Sequence, residues 1–180
     1  MMSDKEILQA MERGELLIEP FSAEEMLGPC SVDLHLLDEF LVFEVGRIID
    51  PMEDNTSNRV TELINTGGKP FIIAPAQFIL ASTVERIALS KSIAGTLEGR
   101  SSIARLGIIV HAAGLVNAGT GMVKPSRLTL EVSCQNSSSV KLYPGMKIVQ
   151  IIFHRLGEKA ALGYDERKSS RFVGLDKPTV

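Results

Sequence analysis

Cysteine is scarce in this chain: Cys30 and Cys134 are the only two in 180 residues, far apart and without CxxC spacing. That excludes a disulfide framework and a structural zinc site, and both thiols are expected to be free and buried. Long apolar runs are missing as well. Hydrophobic residues make up 44% of the chain, yet no window approaches the roughly 18 uninterrupted apolar positions of a membrane helix. The opening Met1-Met2-Ser3-Asp4-Lys5-Glu6 has no basic segment leading into an apolar one, so it is not read as a secretory signal, and the expected location is the cytoplasm. Positive charge is not in excess either. With 19 Lys and Arg against 22 Asp and Glu the net charge is −3, which argues against a nucleic-acid surface and confines any phosphate ligand to a local basic pocket.

What is present is a short helical start and a long β-patterned body. Ser3 and Glu6 have the spacing of a capping box, and Ile7, Leu8 and Met11 recur at helical intervals up to Gly14, which predicts one N-terminal helix. Leu16-Leu17-Ile18 is a strand candidate, and Ser22-Ala23-Glu24-Glu25 offers a second capping box for a helix of about one turn ending at Gly28-Pro29. From Ser31 the period changes to two, with Val32, Leu34 and Leu36 alternating against Asp33, His35 and Leu37. Strand candidates follow at 40–43, 71–73, 77–82, 93–97, 107–111, 127–134, 140–142 and 147–153. Turn formers such as Gly67-Gly68, Pro75, Ser137-Ser138-Ser139 and Pro144-Gly145 separate several of them. Many short strands without intervening long helices predict a mainly β fold of sandwich, barrel or jelly-roll type, in a single domain spanning 1–180. The polar stretch 50–68 reads as an excursion over the surface. Residues 158–180 read either as a solvated tail or as a lid closing on an anionic ligand.

The densest chemistry lies in Gly99-Arg100-Ser101-Ser102-Ile103-Ala104-Arg105-Leu106-Gly107, which holds two cations, two hydroxyls and two glycines. Guanidinium forks and hydroxyls suit phosphate or carboxylate, and glycines let backbone approach a ligand closely. An exposed basic turn is the simpler reading. The strand-like runs 93–97 before the segment and 108–110 after it, followed by His111, hold it between buried elements and favour an anion site. On 127–132, alternation sends Leu128, Leu130 and Val132 to one face and Arg127, Thr129 and Glu131 to the other. Glu131 is then either a solvated strand residue or, where that face lines a pocket, a carboxyl fitted by partial desolvation for general acid–base work. His35, His111 and His154 are dispersed, and neither H-x-E nor P-C-x-x-C occurs, so the ligand set of zinc-dependent nucleobase deaminases is absent. The phosphate-loop, dinucleotide and G-x-S-x-G signatures are absent too.

Residues 99–107 resemble the signature of the dCTP deaminase family, within the dCTP deaminase and dUTPase superfamily. The likeness extends to Gly14 and Leu16, Pro29-Cys30-Ser31-Val32-Asp33-Leu34, Leu97-Glu98, Leu128-Thr129-Leu130-Glu131, Pro144-Gly145-Met146 and Gln150. The Ser31 to Leu34 block favours the deaminase branch over the trimeric dUTPases. The resemblance implies a distorted jelly-roll, β-barrel-like fold, a homotrimer with active sites at subunit interfaces, and deamination of dCTP to dUTP without zinc. It implies Glu131 as the proton-shuttling acid–base, Ser101 and Arg105 orienting water and base, and Arg100 and Ser102 on phosphate oxygens. Ile103, Ala104, Ala113, Asn117, Thr129, Leu130 and Gln150 would surround the nucleotide, and Tyr164 and Arg171 would reach the triphosphate from the C-terminal lid. Mg²⁺ would arrive bound to the triphosphate rather than to protein side chains.

Three departures stand out. Val116-Asn117-Ala118-Gly119-Thr120 carries an amide where the family pattern has a carboxylate, and lacks the aromatic that follows. The link to Glu131 is longer than the pattern, with Gly121-Met122-Val123-Lys124-Pro125 as the added segment, and Leu175 stands where a glutamine is usual. Glu131 favours deamination, and Asn117 speaks against the alternatives of a dUTP diphosphatase or a bifunctional enzyme. A non-catalytic nucleotide-binding module has no need of Glu131.

Overall fold

The computed structural model describes residues 1–50, 52, 60–110 and 113–180, so His111 lies outside the described residues. Helix α1 (Asp4–Glu12) starts where expected: the Ser3 hydroxyl accepts from the Glu6 amide while Glu6 reaches back to the Ser3 amide. Gly14, at φ +67°, turns the chain into β1 (Leu16–Glu19). Helix α2 (Ala23–Met26) has a single turn, but Ser22 makes no side-chain cap, contrary to the capping-box reading. The Ser22 amide instead donates to Met26 Sδ at 3.3 Å, so the thioether closes this turn.

Ten further strands follow before β12: β2 (Val32–His35), β3 (Glu39–Phe43), β4 (Thr61–Asn65), β5 (Phe71–Ile73), β6 (Phe78–Leu89), β7 (Ile93–Gly99), β8 (Ile108–Val110), β9 (Leu115–Val116), β10 (Ser126–Cys134) and β11 (Val140–Leu142). The last strand, β12, covers Lys147–Arg155. One antiparallel sheet runs β4-β3-β6-β10-β8, with β1 also on β6; a second runs β2-β12-β7-β9; β11 and β5 pair alone. Apolar residues of both larger sheets, among them Leu34, Ile79, Ile87, Leu130, Ile151 and Phe153, join in one buried cluster. The expected mainly β, jelly-roll-like architecture is therefore what is found, as open sheets face to face rather than as a closed barrel.

Two differences from the sequence reading have clear causes. Part of the surface excursion is strand β4, half-exposed and paired to β3, and an edge position lets it keep the polar residues that hid it. Strand β6 runs on past Ser82 through Glu85, a carboxylate only 1% exposed because the His35 amide and ring satisfy it at 2.9 and 2.6 Å. The two cysteines are free, but Cys30 is only half-buried. Among the described residues no helix is long and apolar enough to cross a membrane.

Candidate active site

Strand β10 separates its two faces as alternation requires, with Leu128, Leu130 and Val132 in the core. Pairing with β6 sets Leu80 beside Glu131, Ser82 beside Thr129 and Arg86 beside Arg127 on the outer face. Over that face lies a cavity of about 460 Å³, with Phe43, Phe78 and Leu80 among its apolar walls and Glu131, Thr129, Asn117 and Arg127 among its polar ones. Glu131 is the single acidic side chain among the described residues that line it. Among the described residues the buried Thr129 hydroxyl has no hydrogen-bond partner, and neither has that of its cross-strand neighbour Ser82, which lies outside the cavity lining. Each such orphan costs about 1–3 kcal/mol. Apolar walls with a carboxylate and an unsatisfied hydroxyl are the complement of a flat ring with a polar edge.

Asn117 reaches the cavity from the end of β9, in a turn that the Thr120 amide closes on the Asn117 carbonyl at 3.2 Å. Gly119, at φ +82°, packs against Gly163 so closely that a Cβ there would collide with backbone. This contact, with the Tyr164 amide donating to the Ala118 carbonyl at 2.9 Å, locks Tyr164 and Asn117 into the same wall. The C-terminal segment closes the cavity further, through Phe172, Leu175, Thr179 and Val180. It is tied down where the Arg127 amide donates to the Leu175 carbonyl at 2.9 Å and where Asp176 pairs with Lys124 and Arg86. Those two cations hold the Asp176 carboxyl below its ordinary range.

The signature segment stands elsewhere. Strand β7 delivers Arg100 to a four-residue helix, α3 (Ser101–Ala104), anchored by the buried Ile103, while Ser101, Ser102, Ala104 and Arg105 are exposed. Gly107, at φ +74°, ends the segment against Asn136, whose side-chain amide donates to the Leu106 carbonyl at 3.0 Å. Arg100 pairs with Asp33, whose second oxygen lies 3.4 Å from Lys147, and Gln150 accepts from Ser31 at 3.2 Å.

One chain thus gathers Glu131, Thr129, Asn117, Ala113 and Tyr164 around the cavity, while Arg100, Ser101, Ser102, Ile103, Ala104, Arg105, Gln150 and Arg171 are not among its walls. Leu130 turns its side chain into the core, fully buried, because it alternates with Thr129 and Glu131. Arg127 and Phe172 also line the cavity, although sequence reasoning does not single them out as site residues. For Arg127 a signal exists, since it shares a strand face with Glu131. For Phe172 nothing local marks it, because only the path of the C-terminal segment brings it there.

Residues 1–156 match the model of the dCTP deaminase-like family. The chain is 39% identical over 183 aligned residues to a "dCTP deaminase, dUMP-forming" of Dictyoglomus thermophilum, covering 99% of this chain and 92% of the relative. It is 38% identical over 182 residues to a dCTP deaminase of Thermomicrobium roseum, covering 98% and 90%. Among solved structures, the 2'-deoxycytidine 5'-triphosphate deaminase of Agrobacterium tumefaciens shares the fold at TM-score 0.65 and 19% identity, over 84% of this chain and 47% of that one. A dUTPase of phage phi11 of S. aureus shares it at TM-score 0.51 and 10% identity, over 86% and 99%. The signature, the β-rich fold and a match to the family model over most of its length agree: the chain belongs to the dCTP deaminase-like family.

Proposed function

We propose that this protein deaminates dCTP to dUTP and ammonia, in the cytoplasm, as part of pyrimidine deoxynucleotide metabolism. The observation that carries this reading is Glu131, held on a central strand in an apolar cavity beside the unsatisfied Thr129 hydroxyl. Glu131 takes a proton from water, the resulting hydroxide adds to C4 of the cytosine, and the tetrahedral carbon expels ammonia once the proton reaches the amine. Thr129 and Asn117 hold the base and sugar, and Tyr164 and the segment 158–180 close over them as part of the same single domain. Ser101 and Arg105 orient water and base, Arg100 and Ser102 take phosphate oxygens, and Ile103, Ala104 and Gln150 complete that side. Mg²⁺ enters with the triphosphate as part of the substrate, and no zinc takes part.

The homotrimer is what the family resemblance implies, and the exposed α3, which does not line the chain's own cavity, supports a reading in which its residues serve the cavity of another copy. Exposed apolar side chains on the outer face of the larger sheet and on β9, including Phe78, Ile109 and Leu115, support burial against such a copy.

A second reading has its own support, since the Dictyoglomus relative and one of Methanopyrus kandleri at 40% identity carry names that say dUMP-forming. Further hydrolysis of dUTP needs a base for the attacking water, and the cavity offers an amide at Asn117 where a carboxylate is usual, which cannot accept that proton. Deamination with dUTP as the main product is therefore the reading adopted. Purified protein incubated with dCTP, or with dUTP, plus Mg²⁺ tests it when ammonia, dUTP, dUMP and diphosphate are scored separately. Ammonia in step with dUTP supports it; ammonia in step with dUMP and diphosphate favours the second reading; turnover of neither nucleotide makes the protein a binding module.

A further inference from the structure

Arg127 is the one cation among the described residues that line the cavity, and the chemistry above does not use it. Arg127 and Arg86 are direct cross-strand partners, and like charges in that position destabilise a sheet. Arg127 lines the cavity and is half-buried, with one guanidinium nitrogen donating to the Thr83 carbonyl at 3.0 Å and also to the Val84 carbonyl. Those carbonyls satisfy hydrogen bonds but do not neutralise charge. Among the described residues no carboxylate lies within ion-pair distance of Arg127. Burial, and then the neighbouring Arg86, push its guanidinium below the usual range, against support from Asp176, Glu39 and Glu85.

Lys124, from the added segment, completes the group: it and Arg86 share the one carboxylate of Asp176. Two cations therefore share one carboxylate, with Arg127 beside them, and that carboxylate comes from the C-terminal segment that closes the cavity. A partly desolvated surplus of cations is stabilised by an anion of more than one charge.

We propose that Arg86, Lys124 and Arg127 form an anion subsite that takes phosphate groups of the bound nucleotide, and that Asp176 competes with those phosphates for Arg86 and Lys124. This rests on the nucleotide reading of the same cavity. Arg127 lies four residues from Glu131 along β10, about 13 Å at ~3.3 Å per residue, a span that an extended nucleotide triphosphate covers. The subsite belongs to the copy that supplies Glu131, so phosphates are held from this side as well as by Arg100 and Ser102 of the signature.

Calorimetric titration of the full chain with inorganic diphosphate at low salt tests the subsite, carried out in an Arg100→Ala background to remove the signature's contribution. Binding is expected to persist in Arg100→Ala, to weaken at least about tenfold when Arg127→Gln or Lys124→Ala is added, to strengthen in Asp176→Asn, and to be displaced by dCTP. Lys124 is more than half exposed, so its truncation removes charge without opening the core and guards against misreading an unfolded Arg127 variant. Loss of all diphosphate binding in Arg100→Ala alone, or binding indifferent to both Arg127→Gln and Lys124→Ala, overturns the subsite. An unchanged affinity in Asp176→Asn overturns the role given to Asp176, and diphosphate that dCTP does not displace overturns the assignment to nucleotide phosphates. Diphosphate bound as expected by a protein that releases no ammonia from dCTP leaves the subsite standing and overturns the deaminase reading.

Discussion

Glu131→Gln keeps the size and most hydrogen bonds of the side chain but removes its exchangeable proton. Since general acid–base groups contribute about 10²–10⁴-fold, ammonia release should fall by that factor while dCTP binding, followed by calorimetry, stays within about threefold of wild type, well under the ~1.4 kcal/mol that a tenfold change represents. A variant that keeps a third or more of the activity takes Glu131 out of the chemistry. The placement of Glu131 is legible in the sequence, because period-two alternation fixes which residues share its face. Whether that face meets water or a cavity is not legible there, since the walls come from β3, β6, the turn after β9 and the last residues of the chain.

At the scale of the element, the turn between β9 and β10 carries the most specific expectation. Gly121, at φ +78°, lies so close to the Ile87 carbonyl that a Cβ would overlap it. An alanine there meets a left-handed backbone penalty of about 1–3 kcal/mol, plus the cost of moving β6. Gly121→Ala should lower the midpoint of urea unfolding and, by shifting Val123 and Lys124 away from Asp165 and Asp176, make the C-terminal segment more sensitive to protease. Wild-type stability and wild-type proteolysis together contradict the close approach. The same ties set a pH dependence. Asp176 (held by Lys124 and Arg86), Glu6 (by Ser3) and Glu166 (by Gly163 and Lys91) all have carboxyls lowered from their ordinary values. A lowered carboxyl adds stability that is complete above the unfolded-chain range, about pH 4–4.5, and is lost as pH falls through the folded value. Stability should therefore be flat in this respect at neutral pH and decline on acidification, with the Asp176→Asn variant declining less.

For the whole molecule the expectation concerns the division of the site between copies. Arg105→Ala, on the exposed α3, and Glu131→Gln, in the cavity, should each be inactive alone. Unfolded and refolded together, they should recover about a quarter of wild-type activity, the share of sites in statistically mixed symmetric oligomers that combine an intact Glu131 with an intact Arg105. No recovery, together with a monomer in sedimentation at micromolar concentration, means that the two residues do not act across an interface.

Elements whose signal is local are legible in the residues: the capping box at Ser3 and Glu6, the period-two faces of β2 and β10, the glycine-bounded signature between two apolar strands, and with it the resemblance to the family. The sequence leaves unread whatever depends on partners distant in the chain. Nothing local marks Glu85 as buried, because only β2 brings His35 onto it; β4 reads as loop because an edge strand needs no buried face; Cys30 reads as core. Packing between distant strands is what puts Glu131 and Asn117 on one cavity with Tyr164, keeps α3 out of its walls, and brings Arg86 and Lys124 onto Asp176 beside Arg127. The physical reason is the same in each case: alternation and capping are set within a few residues, whereas burial, ion pairing and desolvation are set by strands whose register is fixed only when the whole sheet has formed.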